Sequence, residues 1–524
     1  MDKFRYLISK CKESSNIHWR VLAYVSVILG IIISINNVLN VSIWLDDAYT
    51  LGIIKYPASE IIYLTGLDVH PPLYYLIVRF FFLLSPANPF MQVIYGRFIS
   101  LLPILITIFV GFLIFREYNM DKYKSIFFSS LFMFMPHISY YSVEIRMYSW
   151  AMLFIGVSFF GALKYLKNYS YKWLFLVLLG STLAAYTHYF SAVMGGLIFL
   201  FLFIYGLGKK SKKVVVEAFI AAILFLILYS PWLIVAIGQV KGVANSYWIP
   251  PLTIKTIAKI YLWPFVESVM GTFISKKDLL IGIIMTVVML TFGSPYFFKK
   301  VPRYETPIIS LGIWIFLATV SFSVLISILM SPVFDVRYSF PALFPLYISL
   351  VLLLDRVFCF TKFKQAFFII ITSFIVINTT FCVISAKKNF TQNVEMRELI
   401  NSNWLEKAPV VSLDTEEMSH SATFSFYKGT AVFDSAMEEI VSEGKEGGTA
   451  PQIFLQKTIP DIFPVSKINI NSLKSVIVIK PIWSSNDRLE KLLEKGFVIK
   501  EEKTINVRQT GMARMYLLRK GTNK

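Results

Sequence analysis

Long apolar runs limit more than any other feature what this chain can fold into. Residues 21–40 and 306–330, for example, contain no charged residue. An α-helix rises about 1.5 Å per residue, so each run is long enough to cross roughly 30 Å of hydrocarbon. The 524 residues are 56% hydrophobic and 16% aromatic, which is more apolar surface than a soluble protein of this length can bury. The sequence therefore predicts an all-α polytopic membrane domain.

The predicted spanning helices alternate with short loops rich in lysine and arginine. The spans are predicted at 21–40, 97–115, 124–138, 147–163, 173–187, 190–207, 214–231, 278–297, 306–330, 339–354 and 366–385. Basic residues concentrate in segments 1–20, 116–124, 164–172, 209–213, 299–303 and 356–364. Such loops usually lie in the cytoplasm and against anionic lipid. They account for the net charge of +19, so this charge does not indicate a nucleic-acid partner.

One further apolar stretch, residues 72–85, decides the orientation of every later loop. It begins at the paired prolines Pro71 and Pro72, contains Arg79, and is about one leaflet long. These features favour a non-spanning helix in the first outer loop. About eleven spans then place the N-terminus in the cytoplasm and the C-terminus outside. The alternative is a short true span, which would invert the later loops.

The composition changes near residue 388. Stretches such as "KSVIVIKPIW" and "NDRLEKLLEKGFVIKEEK" alternate strand-forming and charged helical segments. The sequence therefore predicts a transmembrane domain over 1–387 and a small extracytoplasmic α/β domain over 388–524. Cys11, Cys359 and Cys382 are too scattered for a metal motif or a disulfide framework.

Ionisable residues from separate segments are predicted to gather at the outer membrane face. They are Asp46, Asp47, Asp68, His70, Glu144, Arg146, His188, Asp335 and Arg337. Carboxylates and histidines can transfer protons or bind a metal, and arginine can hold a phosphate group at two oxygens. This grouping predicts a site that handles a phosphorylated substrate.

Each of these residues also has a purely structural interpretation. Asp46 and Asp47 can cap an interfacial helix, and Asp68 with His70 can form a turn before the prolines. Glu144 and Arg146 can pair with each other, as can Asp335 and Arg337. His188 can be a hydrogen-bonded histidine at a helix end. The sequence leaves both interpretations open.

Five stretches carry a resemblance to a known family. They are "WLDDAYTL", "DVHPPLYYLI", "YSVEIRMYSWAML", "THYF" and "RYSFPALFPLYISL", in this order. Together they resemble the bacterial members of glycosyltransferase family 39, of the GT-C fold. This family includes protein O-mannosyltransferases and lipid A aminoarabinose transferases. The resemblance covers about residues 20 to 355 and does not extend to the C-terminal domain.

The resemblance implies an inverting enzyme that moves a sugar from a polyprenyl-phosphate donor to an acceptor on the outer side of the membrane. Asp46 matches the family's catalytic acid position. Asp47 stands where members usually have glutamate and is the second catalytic candidate, expected to orient the acceptor or Asp46. Arg146 and Arg337 are the candidates for donor-phosphate binding.

Asp68, His70, Glu144 and His188 remain candidates for sugar or metal binding. A divalent metal is left open, because some GT-C enzymes work without one. The expected localisation is the bacterial cytoplasmic membrane. A polytopic transporter or lipid-sugar flippase is the main alternative, and an inactive scaffold for envelope assembly is a further one. The identities of the sugar and of the glycan, lipid or protein acceptor do not follow from the sequence.

Overall fold

The computed structural model is mostly helical, with one mixed sheet near the C-terminus. It describes residues 17–40, 42–243, 249, 252–265, 306–329, 332–359, 364–413, 418–442, 457–484, 487–507 and 511–521. The α-helices are α1 (Ile17–Asn40), α2 (Leu45–Ile53), α3 (Ala58–Leu67), α4 (Leu73–Phe82), α5 (Pro89–Glu117), α6 (Lys122–Leu131), α7 (Pro136–Tyr141), α8 (Tyr148–Asn168), α9 (Tyr171–Ala185), α10 (Tyr189–Gly208), α11 (Lys212–Val243), α12 (Ile254–Leu262), α13 (Thr306–Leu329), α14 (Phe340–Cys359), α15 (Lys364–Asn401), α16 (Ser419–Lys428), α17 (Ser435–Ser442) and α18 (Asp487–Glu494).

Seven helices among the described residues are long and apolar enough to cross a membrane. These candidate spans are Trp19–Asn40, Pro89–Glu117, Tyr148–Asn168, Tyr189–Gly208, Lys212–Gln239, Ile309–Leu329 and Val336–Asp355. Each coincides with a span predicted from the sequence. The predicted span at 173–187 corresponds to the shorter apolar helix α9, and α15 covers the one at 366–385. The predicted span at 278–297 lies outside the described residues.

The segment predicted as one helix over 124–138 is interrupted. Helix α6 ends at Leu131, a 3-10 turn covers Phe132–Phe134, and α7 starts at Pro136. Met135, directly before the proline, has extended backbone angles (φ −68°, ψ 127°). A residue before proline is sterically disfavoured in the α conformation, which explains the break. Hydropathy along the chain does not register this interruption.

The first loop contains three short helices, α2, α3 and α4. Helix α4 has ten residues and is about 15 Å long, half of the hydrocarbon core, so it is a non-spanning helix as predicted. Its Arg79 donates a hydrogen bond from Nη1 to the carbonyl oxygen of Ile54 (2.9 Å). Arg79, whose charge favoured a non-spanning helix, therefore connects α4 to the end of α2.

The C-terminal region forms the predicted α/β unit around a six-stranded sheet. Its strands are β1 (Val410–Ser412), β2 (Val432–Asp434), β3 (Ile462–Pro464), β4 (Ser475–Pro481), β5 (Phe497–Val507) and β6 (Gly511–Lys520), in the order β3-β2-β1-β4-β6-β5. The first four are parallel, and β6 and β5 continue the sheet antiparallel. Leu489 and Leu492 of α18 pack with Val476 and Val478 of β4. The predicted boundary at 387/388 falls inside α15, and the division into two domains stays a prediction.

The sheet unit packs against the loop that carries the paired aspartates. Thr423 of α16 donates to the carbonyl oxygen of Ile43 (3.3 Å), two residues before α2. Tyr56 donates to the carbonyl oxygen of Lys457 (2.9 Å), whose ammonium pairs with Glu60 (2.5 Å). These contacts hold both ends of α2 against the C-terminal unit.

Candidate functional site

The two adjacent aspartates lie in the first turn of α2 but have different surroundings. Acids are favourable near a helix N-terminus, where unpaired backbone N–H groups carry partial positive charge. Neighbouring residues of a helix project about 100° apart, so the two carboxylates cannot face the same way. In the structure, Asp46 belongs to an ion-pair cluster, whereas Asp47 is buried in the protein interior.

Asp46 lies between two arginines from distant segments. Its Oδ2 is 3.5 Å from Arg146 Nε and 3.6 Å from Arg337 Nη1. Its side chain is 23% exposed, whereas those of Arg146 and Arg337 are 4% and 15% exposed. These separations exceed the 2.7–2.9 Å of strong charge-assisted hydrogen bonds. The Asp46 carboxylate is therefore held by electrostatic attraction to the two arginines and not by short hydrogen bonds.

Asp47 is fully buried and supports the backbone of the site. Its Oδ1 accepts a hydrogen bond from the backbone N–H of Ile145 (2.8 Å), 98 residues further along the chain. Ile145 directly precedes Arg146, so this hydrogen bond fixes the backbone position from which the Arg146 side chain extends. Asp47 is therefore enclosed in the interior, and Asp46 is the more exposed of the two carboxylates.

A chain of polar contacts extends from Arg146 to the first loop. Arg146 Nη2 lies 3.1 Å from His70 Nε2, and Nη1 donates to the Tyr75 hydroxyl (3.4 Å). A guanidinium can only donate, so Nε2 accepts and His70 Nδ1 donates to Asp68 (2.7 Å). Tyr49 also donates to Asp68 Oδ2 (2.7 Å). Every member of this chain has a partner that fixes its orientation.

Asp68 stays ionised at the end of this chain. Burial raises the pKa of its carboxyl, but the neighbouring His70 and the hydrogen bonds from His70 and Tyr49 outweigh burial. The pKa therefore lies below its ordinary value. Burial, followed by the negative charge of Asp68, raises the pKa of Tyr49 well above its ordinary value, so Tyr49 remains a donor. Asp68 and His70 thus act on Arg146 as a buried support.

Arg337 is presented by a short 3-10 turn, Val336–Ser339, between α13 and α14. Asp335 accepts a hydrogen bond from the backbone N–H of Arg337 (2.9 Å) and lies 3.6 Å from its Nε. The guanidinium lies over the rings of Trp44 (5.9 Å) and Tyr338 (5.8 Å). The local Asp335–Arg337 pair suggested by the sequence is present, and Arg337 also reaches Asp46.

His188 borders the same cluster at the start of α10. It is 4% exposed, and its ring lies 5.2 Å from Tyr338 and 5.8 Å from Tyr148. Burial, together with the positive charges of Arg146 and Arg337, lowers its pKa well below the ordinary value. His188 is therefore neutral at pH 7. Its Nδ1 is buried with no hydrogen-bond partner among the described residues.

Glu144 is fully buried on the turn that also carries Arg146. Within the described ranges, no group of three carboxylate, imidazole or thiol side chains is arranged to hold a metal ion. Asp68, Glu144 and His188 are among these residues and do not come together as such a group.

Several aromatic residues at the site were not selected from the sequence. Tyr49 and Trp44 flank the aspartates, Tyr75 follows the prolines, and Tyr338 follows Arg337. Arg146 lies over the Tyr49 ring at 5.6 Å, a distance suited to a cation–π contact. The only signal in the sequence was their position beside candidate residues, and aromatic residues are common throughout this chain.

The fold and the site define a class of multi-pass membrane protein. Apolar helices carry a cluster of buried charges at one end, with short non-spanning helices and an α/β unit over it. This confirms the predicted helical membrane fold with a C-terminal α/β unit, and comparison with solved structures confirms its GT-C type.

A solved protein with the same fold is ArnT from Cupriavidus metallidurans, in a crystal structure bound to undecaprenyl phosphate. The match has a TM-score of 0.53 and 12% identity, and it covers 96% of this chain and 98% of that one. The apo structure of the same ArnT matches over the same shares, with 10% identity and a TM-score of 0.46. No family model and no curated protein matches the sequence.

Proposed function

We propose that this protein is a membrane glycosyltransferase that uses a polyprenyl-phosphate sugar as donor. The observation that carries the proposal is the partly exposed Asp46 carboxylate held between Arg146 and Arg337. Sugar transfer from a lipid phosphate needs a base for the acceptor and cations for the leaving phosphate. The ArnT structure of the same fold holds undecaprenyl phosphate, which supports a polyprenyl phosphate as the lipid partner.

The proposed reaction is a single displacement with inversion. The acceptor hydroxyl oxygen attacks the anomeric carbon as the bond from that carbon to the phosphate oxygen breaks. The hydroxyl proton passes to Asp46, and the polyprenyl phosphate leaves with the bonding electron pair. Arg146 and Arg337 stabilise the charge that develops on its oxygens.

Donor binding would also prepare the base. While the site holds only protein groups, the two arginines neutralise Asp46 at 3.5 and 3.6 Å. A phosphate group would accept hydrogen bonds from both guanidinium groups, because each has several N–H donors. Donor binding would therefore loosen the contacts of the two arginines with Asp46 and leave its carboxylate free to accept a hydrogen bond from the acceptor hydroxyl.

The remaining candidates take supporting roles in this proposal. Asp47 positions the turn before Arg146 through Ile145, and Asp68 acts through His70. His188, neutral and with a free Nδ1 in the described part of the chain, is suited to a sugar hydroxyl. Glu144 is fully buried, so we assign it a structural role.

The proposed setting is the bacterial cytoplasmic membrane, with the N-terminus inside and the site and C-terminal domain outside. The transporter alternative is less well supported, because transporter charges lie near the bilayer midplane. Here Arg146 precedes α8, Arg337 precedes the main body of α14, and Asp46 lies on a non-spanning helix. The charges therefore collect at helix ends.

Proteoliposomes with the purified full chain would test the function. They would receive a radiolabelled polyprenyl-phosphate sugar and an envelope extract as the source of acceptor. We expect label to move to the acceptor. Movement of the intact lipid-linked sugar across the bilayer without transfer would indicate a flippase, and neither event would indicate a scaffold. Mass spectrometry of envelope glycans from cells with and without the protein would identify the acceptor.

A further inference from the structure

A groove at the opposite end of the membrane helices has the shape and charge of a lipid site. It lies between α9 and α11 and has a volume of about 610 Å³. Its polar lining consists of Tyr171, Lys212, Lys213 and Glu217. Its apolar lining consists of Leu174, Phe175, Leu178, Val216, Ile220, Ala221 and Leu224.

The path of the chain places this groove far from the arginine cluster. Helix α8 starts two residues after Arg146 and runs 21 residues to Asn168, which is about 30 Å. Helix α9 starts at Tyr171 and runs back toward His188. The two helices therefore form a hairpin whose turn lies at the membrane surface remote from the site, and the groove begins at that turn.

The polar and apolar linings occupy opposite ends of the groove. The polar residues all belong to the first two turns of α9 and α11, which both start at this end. From Lys212 to Leu224 the axis of α11 advances about 18 Å, close to one leaflet of hydrocarbon. A charged head group at the lysines would therefore leave one acyl chain alongside Ile220 and Leu224.

The head-group end carries a surplus of positive charge. The Glu217 carboxylate accepts a hydrogen bond from the Tyr165 hydroxyl (2.6 Å) and lies 3.8 Å from Lys213 Nζ. Lys212 forms no ion pair within the described part of the chain and is exposed. The exposed Lys209 and Lys210 add charge nearby but do not line the groove. This balance favours an anionic head group.

We propose that the groove between α9 and α11 binds an anionic membrane phospholipid, with the phosphate at Lys212 and Lys213 and one acyl chain along α11. The site is separate from the proposed donor site and does not depend on the proposed function. A membrane phospholipid is the occupant that matches both ends, because free phosphate would leave the apolar lining exposed to lipid or water.

Native mass spectrometry of the full chain in detergent tests this proposal with phosphatidylglycerol and phosphatidylcholine of identical acyl chains. We expect tighter binding of phosphatidylglycerol. The double variant Lys212→Ala/Lys213→Ala should weaken its binding by about fivefold per lysine. The matched control Lys209→Ala/Lys210→Ala removes the same charge outside the groove and should stay within about twofold of the wild type.

A second pair of variants tests the acyl-chain end and does not alter charge. Ile220→Trp fills the groove, and Ile227→Trp places the same ring at an exposed position of α11 outside it. We expect only Ile220→Trp to weaken phosphatidylglycerol binding. Equal affinity for the two lipids, equal losses in both lysine pairs, or an unaffected Ile220→Trp variant would each overturn the proposal.

Discussion

The two ends of the α8–α9 hairpin hold charge in different ways. At one end Arg146 is buried and faces Asp46 and His70, which come from the first loop. At the other end Lys212 and Lys213 are exposed. Burying a charge costs several kcal/mol unless partners compensate, while an exposed lysine at a membrane surface costs little.

Under the proposed function and orientation, this difference separates residues that form a site from residues that orient the chain in the membrane. At the arginine end, buried charges are held in fixed positions by contacts between residues more than 70 positions apart in the sequence. Intramembrane and near-membrane charges kept in this way usually mark functional sites. For the proposed orientation in the membrane, the lysine end needs only charge, so its lysines are interchangeable in that respect. The following predictions test this contrast, starting with the largest expected effect.

The largest effect is expected from Asp46→Asn. The amide is similar in size but cannot accept the acceptor proton, so transfer should fall by about 10²–10⁴-fold. Transfer of labelled sugar would be measured at matched amounts of membrane protein. Asp335→Asn is the control, because it removes another carboxylate that lies 3.6 Å from Arg337 but is not the proposed base. An Asp46→Asn variant with wild-type transfer would remove Asp46 from the mechanism.

Lysine substitutions of the two arginines should have the next largest effect. Arg146 uses separate nitrogens to face Asp46, His70 and Tyr75, and a single ammonium cannot reach all three. We expect kcat/KM for the donor to fall by about 10²-fold in Arg146→Lys and Arg337→Lys. Steady-state kinetics would measure this. If both variants keep normal kinetics, the site needs positive charge only, as the lysine end does.

Gly52→Ala should reduce activity from a distance. A Cβ at Gly52 would lie 2.0 Å from the backbone oxygen of Thr458, so α2 or the C-terminal unit must shift. Because α2 carries Asp46, we expect transfer to fall by about tenfold, which corresponds to about 1.4 kcal/mol. Gly66→Ala is the matched control, since its Cβ would lie 3.8 Å from Val235 Cγ1. Equal activity of the two variants would show that the contact at Thr458 does not position Asp46.

His188 should make stability depend on pH. Its pKa is lowered in the folded state by burial and by the charges of Arg146 and Arg337. Below about pH 6.5 the unfolded state binds more protons, so stability falls as the pH decreases. From pH 7 to 5.5 the free energy of unfolding should fall by about 1 kcal/mol more in the wild type than in His188→Gln. Denaturant unfolding in detergent would measure this, and identical pH profiles would contradict a buried neutral His188.

The smallest effect is expected at the lysine end. Lys209→Ala/Lys210→Ala removes two exposed charges that are remote from Asp46. Sugar transfer by correctly inserted protein should change by less than about twofold, because exposed charges beyond a Debye length are screened. Protease accessibility would confirm insertion before the assay. A large loss of transfer in correctly inserted protein would contradict the proposed difference between the two ends.

Hydropathy predicted the membrane helices well where a helix is continuous and less well where it breaks. Helices α1, α5 and α10 coincide with predicted spans because apolar length is a local property. The interruption between α6 and α7 was missed, although Pro136 could have signalled it. The non-spanning α4 was predicted because Arg79 and the preceding prolines are also local signals.

The sequence by itself determined the class of this protein and the set of charged residues, because apolar length and the position of charges can be read along the chain. Only the tertiary structure separated Asp46 from Asp47 and joined Asp68, His70 and Arg146 into one chain of contacts. It also brought the C-terminal unit onto α2, through residues about 400 positions apart. Such contacts depend on the rotation of each helix and the path of each loop, which hydropathy and spacing do not encode.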